Sequence, residues 1–116
     1  MPRRLKVWVR VGKSQRVKGA SGEREACEAL APLYPELKRG LIQTRGGSEC
    51  PDIDSPDCEF WIEVKRGAKA PHPSPAYEQA LKATDGRPPL VLTRKDRSEW
   101  LVTMSLESFL KLAKRA

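Results

Sequence analysis

The chain has 116 residues, 39% hydrophobic and 6% aromatic, which is enough for one modest core and not for two. Its 22 Lys and Arg stand against 15 Asp and Glu, and the net charge of +7 suits a polyanionic partner such as nucleic acid. No apolar run approaches the ~20 residues of a membrane span, and the basic start lacks an apolar stretch with a cleavage site, so the expectation is a cytoplasmic protein with no membrane partner.

Residues 1–17 are rich in Arg and Lys, and Val7, Val9 and Val11 alternate with Lys6, Trp8 and Arg10. The alternation fits an edge strand and the charge fits a basic arm, and both readings stay open. Ser21 is expected to cap a helix starting at Gly22, with Glu23 and Glu25 in its first turn. Ala26, Cys27, Leu30 and Leu33 give that helix an apolar face, and Pro32 and Pro35 limit its end. Residues 41–45 read as a strand closed by Gly46-Gly47-Ser48, residues 51–54 as a short extended piece, and residues 59–65 as the strongest strand. Pro71, Pro73 and Pro75 stiffen a loop before a helix over about 75–84, which Gly86 stops. Residues 90–93 read as a buried strand, 94–99 as a polar turn and 100–104 as the return strand. Ser105 caps a last helix through Ala113, with Leu106, Phe109, Leu110 and Ala113 on its apolar face. The expected fold is α/β in the order αβββαββα, a mixed central sheet flanked by helices, with residues 18–116 as one domain.

Cys27, Cys50 and Cys58 form no CxxC pair, and the lone His72 adds little towards a zinc site. Chemistry points elsewhere. Along residues 60–65, Phe60, Ile62 and Val64 face one side, and Trp61, Glu63 and Lys65 face the other. Taken alone, Glu63 and Lys65 also fit a solvated ion pair. Asp52, however, lies eleven residues before Glu63, and a turn through Ser55-Pro56-Asp57 would fold the two stretches into a hairpin. Close carboxylates repel unless a cation separates them. Mg²⁺ or Mn²⁺ favours such oxygens, activates bound water and polarises a phosphoryl oxygen. Lys65 would then orient or deprotonate the water, or stabilise charge developing on the phosphate. Glu23 falls on the core-facing side of its helix, where a carboxylate is costly unless paired or metal-bound; a first-turn acid favoured by the helix dipole is the alternative. Glu25 and Glu28 are expected to be solvated. Arg45, Arg66 and Lys69 flank the site as candidate phosphate contacts, and Tyr77 is a candidate for base stacking.

Pro51-Asp52 followed by Glu63-Val64-Lys65 resembles the PD-(D/E)xK nuclease motif. Lys18-Gly19-Ala20-Ser21-Gly22-Glu23-Arg24-Glu25 is similar to the opening of archaeal-type Holliday junction resolvases, and Arg45 ahead of Gly47-Ser48 looks like their Arg before a Gly-Ser turn. Residues 61–67 followed by Gln79-Ala80 resemble small phage-encoded relatives. The resemblance covers roughly residues 18–104. It implies a restriction-endonuclease-like core with catalytic Glu23, Asp52, Glu63, Lys65 and Gln79, and Mg²⁺ or Mn²⁺ held by Asp52, Glu63 and Glu23. It adds Arg24 and Ser48 to Arg45, Arg66 and Lys69 as DNA-binding residues. The implied activity is a structure-selective DNA endonuclease working as a homodimer on branched DNA. A repair or recombination nuclease acting on ends or flaps, and a non-catalytic nucleic-acid-binding protein of the same fold, are the alternatives.

Overall fold

The computed structural model describes residues 19–40 and 50–115. Its strands are β1 (Lys38–Arg39), β2 (Ile53–Asp54), β3 (Trp61–Gly67), β4 (Pro89–Lys95) and β5 (Leu101–Thr103). Its helices are α1, helical over the described residues 19–30, α2 (Pro73–Ala83) and α3 (Leu106–Arg115). The element order is αβββαββα, and the sheet is mixed: the strands lie side by side in chain order, with β3 and β4 parallel and the other neighbours antiparallel. A parallel pair needs a crossover, and α2 provides it.

The alternation along β3 divides the molecule into layers. Phe60, Ile62 and Val64 share one buried face with Ile53, Leu90 and Leu92, against Ala26 of α1 and the partly buried Cys27, Leu30 and Leu112. The opposite face presents Trp61, Glu63, Val91 and Thr93, all buried, on the side of buried Ala76 and Ala80 of α2. Ile53, Ile62, Val91 and Leu92 are the largest fully buried side chains, each worth about 1.5–3 kcal/mol of burial. A Cβ at Gly22 would stand 3.2 Å from Cβ of Arg66, so the missing side chain lets α1 lie close on β3.

Several boundaries differ from the sequence expectation. The chain is already helical at residue 19, so Ser21 lies inside α1 and does not cap it; Gly22 serves close packing instead. α2 begins at Pro73, because the Nδ1 of His72 accepts the Ser74 N–H at 3.3 Å and proline is tolerated in a first helical turn. Residues 1–18, the expected strand at 41–45 and the Gly46-Gly47-Ser48 turn lie outside the described residues, and the first described strand is Lys38–Arg39. Ser105 does cap α3, its Oγ accepting the Ser108 N–H at 3.0 Å. The expected apolar face of α3 does not enter the core: no residue of this helix is buried, and Leu106 is 72% exposed. Leu112, on another side of the helix, is what reaches the core. None of the described helices is long and apolar enough to cross a membrane.

Candidate active site

The β2–β3 hairpin assembles the site. Its turn is tied by Ser55 Oγ donating to Asp57 Oδ1 at 2.7 Å and by the Cys58 N–H donating to the Ser55 carbonyl at 3.2 Å. Ile53 pairs with Ile62, and the Asp52 N–H donates to the Ile62 carbonyl at 2.9 Å. Beyond that point comes Pro51, which has no N–H to extend the ladder. The Asp52 side chain takes over: its Oδ2 accepts the Val64 N–H at 2.8 Å. The Asp52 carbonyl accepts the Gly40 N–H at 2.9 Å, joining the end of β1. A Cβ at Gly40 would collide with the Pro51 carbonyl oxygen, so only glycine permits this approach.

Glu63 lies next to that carboxylate on β3 and is 8% exposed. The Trp61 indole N–H donates to its Oε1 at 3.1 Å, and its carboxyl is hydrogen-bonded to Asp52. Burial first, then the bond to Asp52 and the Asp52 charge, push the Glu63 pKa from 4.5 up to about 8, while the Trp61 bond and the Lys65 charge pull more weakly the other way. Near neutral pH Glu63 therefore keeps its proton. Lys65 stands two residues on, exposed on the same strand face.

Two carboxylates fit a hard divalent cation taking the place of that proton. Among the described residues no group of three or more His, Cys, Asp and Glu is arranged to hold a metal. A two-carboxylate donor set suits Mg²⁺, which keeps several waters and shares its remaining positions with phosphate oxygens, better than it suits structural zinc.

The other expected site residues have these surroundings. Glu23, with a side chain 13% exposed, is bound at 2.6 Å by Nε of Arg39 and ties α1 to β1. Glu25 is not solvated as expected: Arg66 and Arg94 both grip it at 2.6 Å. The cause is the parallel register, which sets Arg66 beside Arg94 at the ends of β3 and β4, where the close-packed α1 delivers position 25 between them. Arg66 also lies 3.3 Å from Asp96, so this candidate DNA contact is engaged within the fold. Arg24 and Lys69 are exposed, and so is Gln79 on α2, while Arg45 and Ser48 lie outside the described residues.

Two contributors escaped the sequence reading. Trp61 is the donor that orients Glu63; its position two residues away on the same strand face was the available signal. Arg87 donates to Asp54 at 2.7 Å and to the Cys58 and Phe60 carbonyls at 3.3 and 3.4 Å, with its guanidinium 5.6 Å from the Trp61 ring centroid. It clamps the hairpin to the start of β4 across a separation no local pattern signals.

No family model matches the chain, and no match is found among curated proteins or solved structures.

Proposed function

We propose that the chain is a metal-dependent DNA endonuclease of the PD-(D/E)xK kind, built on a restriction-endonuclease-like core and hydrolysing phosphodiester bonds at Asp52, Glu63 and Lys65. The observation that carries this reading is the meeting of the half-buried Asp52 with the buried Glu63, whose pKa is raised to about 8, on the strand that also carries Lys65. A buried acid that is so hard to ionise contributes little to a fold, and beside a second carboxylate it is suited to receiving a cation.

A bound Mg²⁺ or Mn²⁺ supplies an activated water and neutralises charge on the phosphate. The residues of the chain do the rest. Val64 N–H fixes one oxygen of Asp52, and Trp61 fixes one of Glu63. Glu63 must release its proton to act as a ligand, so activity rises with pH towards about 8. Lys65 holds its ammonium where a non-bridging phosphate oxygen gains charge. The net charge of +7, with exposed Arg24 and Lys69, draws the DNA backbone without reading its sequence. Selectivity for branched DNA rests on the likeness of residues 18–25 to junction resolvases. No chemical step is assigned to Glu23, which is bound to Arg39, or to Gln79.

The test is incubation with four-way junction, flap, duplex and single-stranded DNA, with Mg²⁺, with Mn²⁺ and with a chelator. Cation-dependent cleavage that Glu63→Gln and Lys65→Ala both abolish is expected. Cleavage that persists in chelator, or in both variants, overturns the assignment. Preferential cutting of the junction selects the resolvase-like reading, and cutting at ends or flaps selects a repair nuclease. Tight binding without cutting under every condition leaves a non-catalytic nucleic-acid-binding protein.

A further inference from the structure

The carboxyl ends of the parallel strands β3 and β4 carry cations that the proposed chemistry leaves unused. Lys65 pairs with Thr93 and Gly67 with Lys95, so Lys95 lies on the sheet face of Glu63 and Lys65. It stands one strand across and two residues along from Lys65, a diagonal of roughly 8 Å. A Cβ at Gly67 would come 3.3 Å from the Lys69 carbonyl oxygen, so the chain leaving β3 folds over Gly67 and brings residue 69 to the same corner. Lys65, Lys69, Lys95 and Arg97 are all exposed.

Two acids of this corner are taken up on the other face. Glu25 is gripped by Arg66 and Arg94, and Asp96 lies 3.3 Å from Arg66. Glu99, exposed two residues before β5, is the acid left, and among the described residues neither Lys95 nor Arg97 forms an ion pair with it or with any other acid. Arg97 is presented at a conformational cost. The Ser98 N–H donates to the Lys95 carbonyl at 2.9 Å and closes a four-residue turn, in which Arg97 holds the third position with φ of 65°. That position ordinarily takes Gly or Asn. The turn is braced from the sheet: Arg94 Nε donates to the Ser98 carbonyl at 2.6 Å, and its guanidinium lies 5.8 Å from the Trp100 ring centroid. A cation strained and exposed on a braced turn is explained by what it meets outside the fold.

We propose that Lys95 and Arg97, on the β4–β5 turn, form a phosphate-binding contact for the nucleic-acid strand that runs past Asp52, Glu63 and Lys65. The diagonal from Lys65 to Lys95 is close to the spacing of successive phosphates along a strand. A phosphate held at Lys65 therefore puts its neighbour within reach of Lys95, with Arg97 beyond it at the tip of the turn. The contact positions the backbone and reads no bases. Residues 95–99 offer no apolar side chain to bury in a bilayer, and Asp96 and Glu99 would meet a flat anionic surface unfavourably, so discrete phosphates fit the turn better than a membrane does. The placement beside the cut rests on the nuclease reading, but the binding is measured without metal and without turnover.

The test is fluorescence anisotropy of the full chain with a short labelled DNA duplex, in chelator, across a salt series. Lys95→Ala and Arg97→Gly together should weaken binding at least about tenfold at low salt and lower the slope of log Kd against log salt by about two, one for each lost phosphate contact. Arg97→Gly relieves the positive φ, so that variant should be no less stable in urea, which separates lost binding from lost folding. Lys82→Ala removes an exposed cation at the other end of α2 and should leave affinity and slope near wild type. Unchanged affinity and slope in the double variant overturn the proposal. An equal loss in Lys82→Ala overturns it too, because net charge would then be the cause. So does a double variant that loses binding to phosphatidylserine vesicles but not to the duplex. Weakened binding by the double variant of a chain that cuts no DNA removes the nuclease reading and upholds the contact; cation-dependent cutting with unaltered affinity in the double variant removes the contact alone.

Discussion

The two faces of the sheet draw on the same strands and put burial to opposite uses. On the α1 side, Ile53, Ile62, Val64, Leu90 and Leu92 bury hydrocarbon against hydrocarbon. One residue along each strand, on the α2 side, Trp61, Glu63 and Thr93 are equally well buried but carry polar atoms. α2 buries only the small side chains of Ala76 and Ala80 there. Burial on the first face stabilises the fold. On the second it holds a carboxylic acid in the protonation state it would not have in water, and that stored tension is what a cation can relieve.

The sharpest way to separate the faces is Glu63→Gln. Cleavage should fall by about 10³-fold, in line with the several kcal/mol a bound cation supplies to a phosphoryl transition state. Stability should move the other way: at about pH 9 the variant should unfold about 1–3 kcal/mol harder than wild type in urea, because the amide avoids a second buried charge. That advantage should shrink as pH falls from about 8 towards 4.5 and vanish below the unfolded value. A variant less stable than wild type at alkaline pH would erase the proposed difference between the faces.

Ile62→Ala attacks the other face. It should cost about 2–5 kcal/mol in chemical denaturation, with turnover per folded molecule little changed. Strong loss of turnover in the folded variant would show that the two faces are not separable. The unmodified protein offers a third measurement. The Glu63 pKa is raised on folding from 4.5 to about 8, so its contribution to stability is fully present below the unfolded value and is lost as pH rises through the folded one. Without divalent cations the urea midpoint should therefore decline across that window, and saturating Mg²⁺ should flatten the decline; a flat profile in chelator contradicts the raised Glu63 pKa. Trp61→Phe should have the smallest effect. Removing the indole donor raises the Glu63 pKa further, and the rising limb of the rate–pH profile should shift upward by up to about one unit. A limb shifted downward would mean that the indole bond favours the acid form.

What could be read in advance depended on range. The element order and the β3 alternation were legible because a period of two is written into consecutive residues. The meeting of Asp52 and Glu63 was legible too, because a short hairpin leaves few ways to pair its arms. Glu25 was misread as solvated because its partners, Arg66 and Arg94, are 41 and 69 residues away and become neighbours only through the parallel register. Glu23 could be placed on the inward side of its helix, yet nothing local named Arg39 as its partner. The stripe on α3 was visible as amphipathicity, but periodicity states that a face is apolar and not what covers it.

The Val64 amide ends on a carboxylate oxygen instead of a ladder carbonyl, at 2.8 Å from Oδ2 of Asp52. Its proton therefore sits in the electric field of one of the two carboxyl groups whose charge a bound cation would draw upon. In a ¹H–¹⁵N correlation spectrum that single resonance should respond first and most in a Mg²⁺ titration. Its downfield position should relax as the carboxylate's electron density is divided between amide and ion, while the amide of Ile62, a strand neighbour on the same arm, stays in place. If the proposed cation binds there, the backbone contains a gauge of its occupancy, readable without substrate and without turnover.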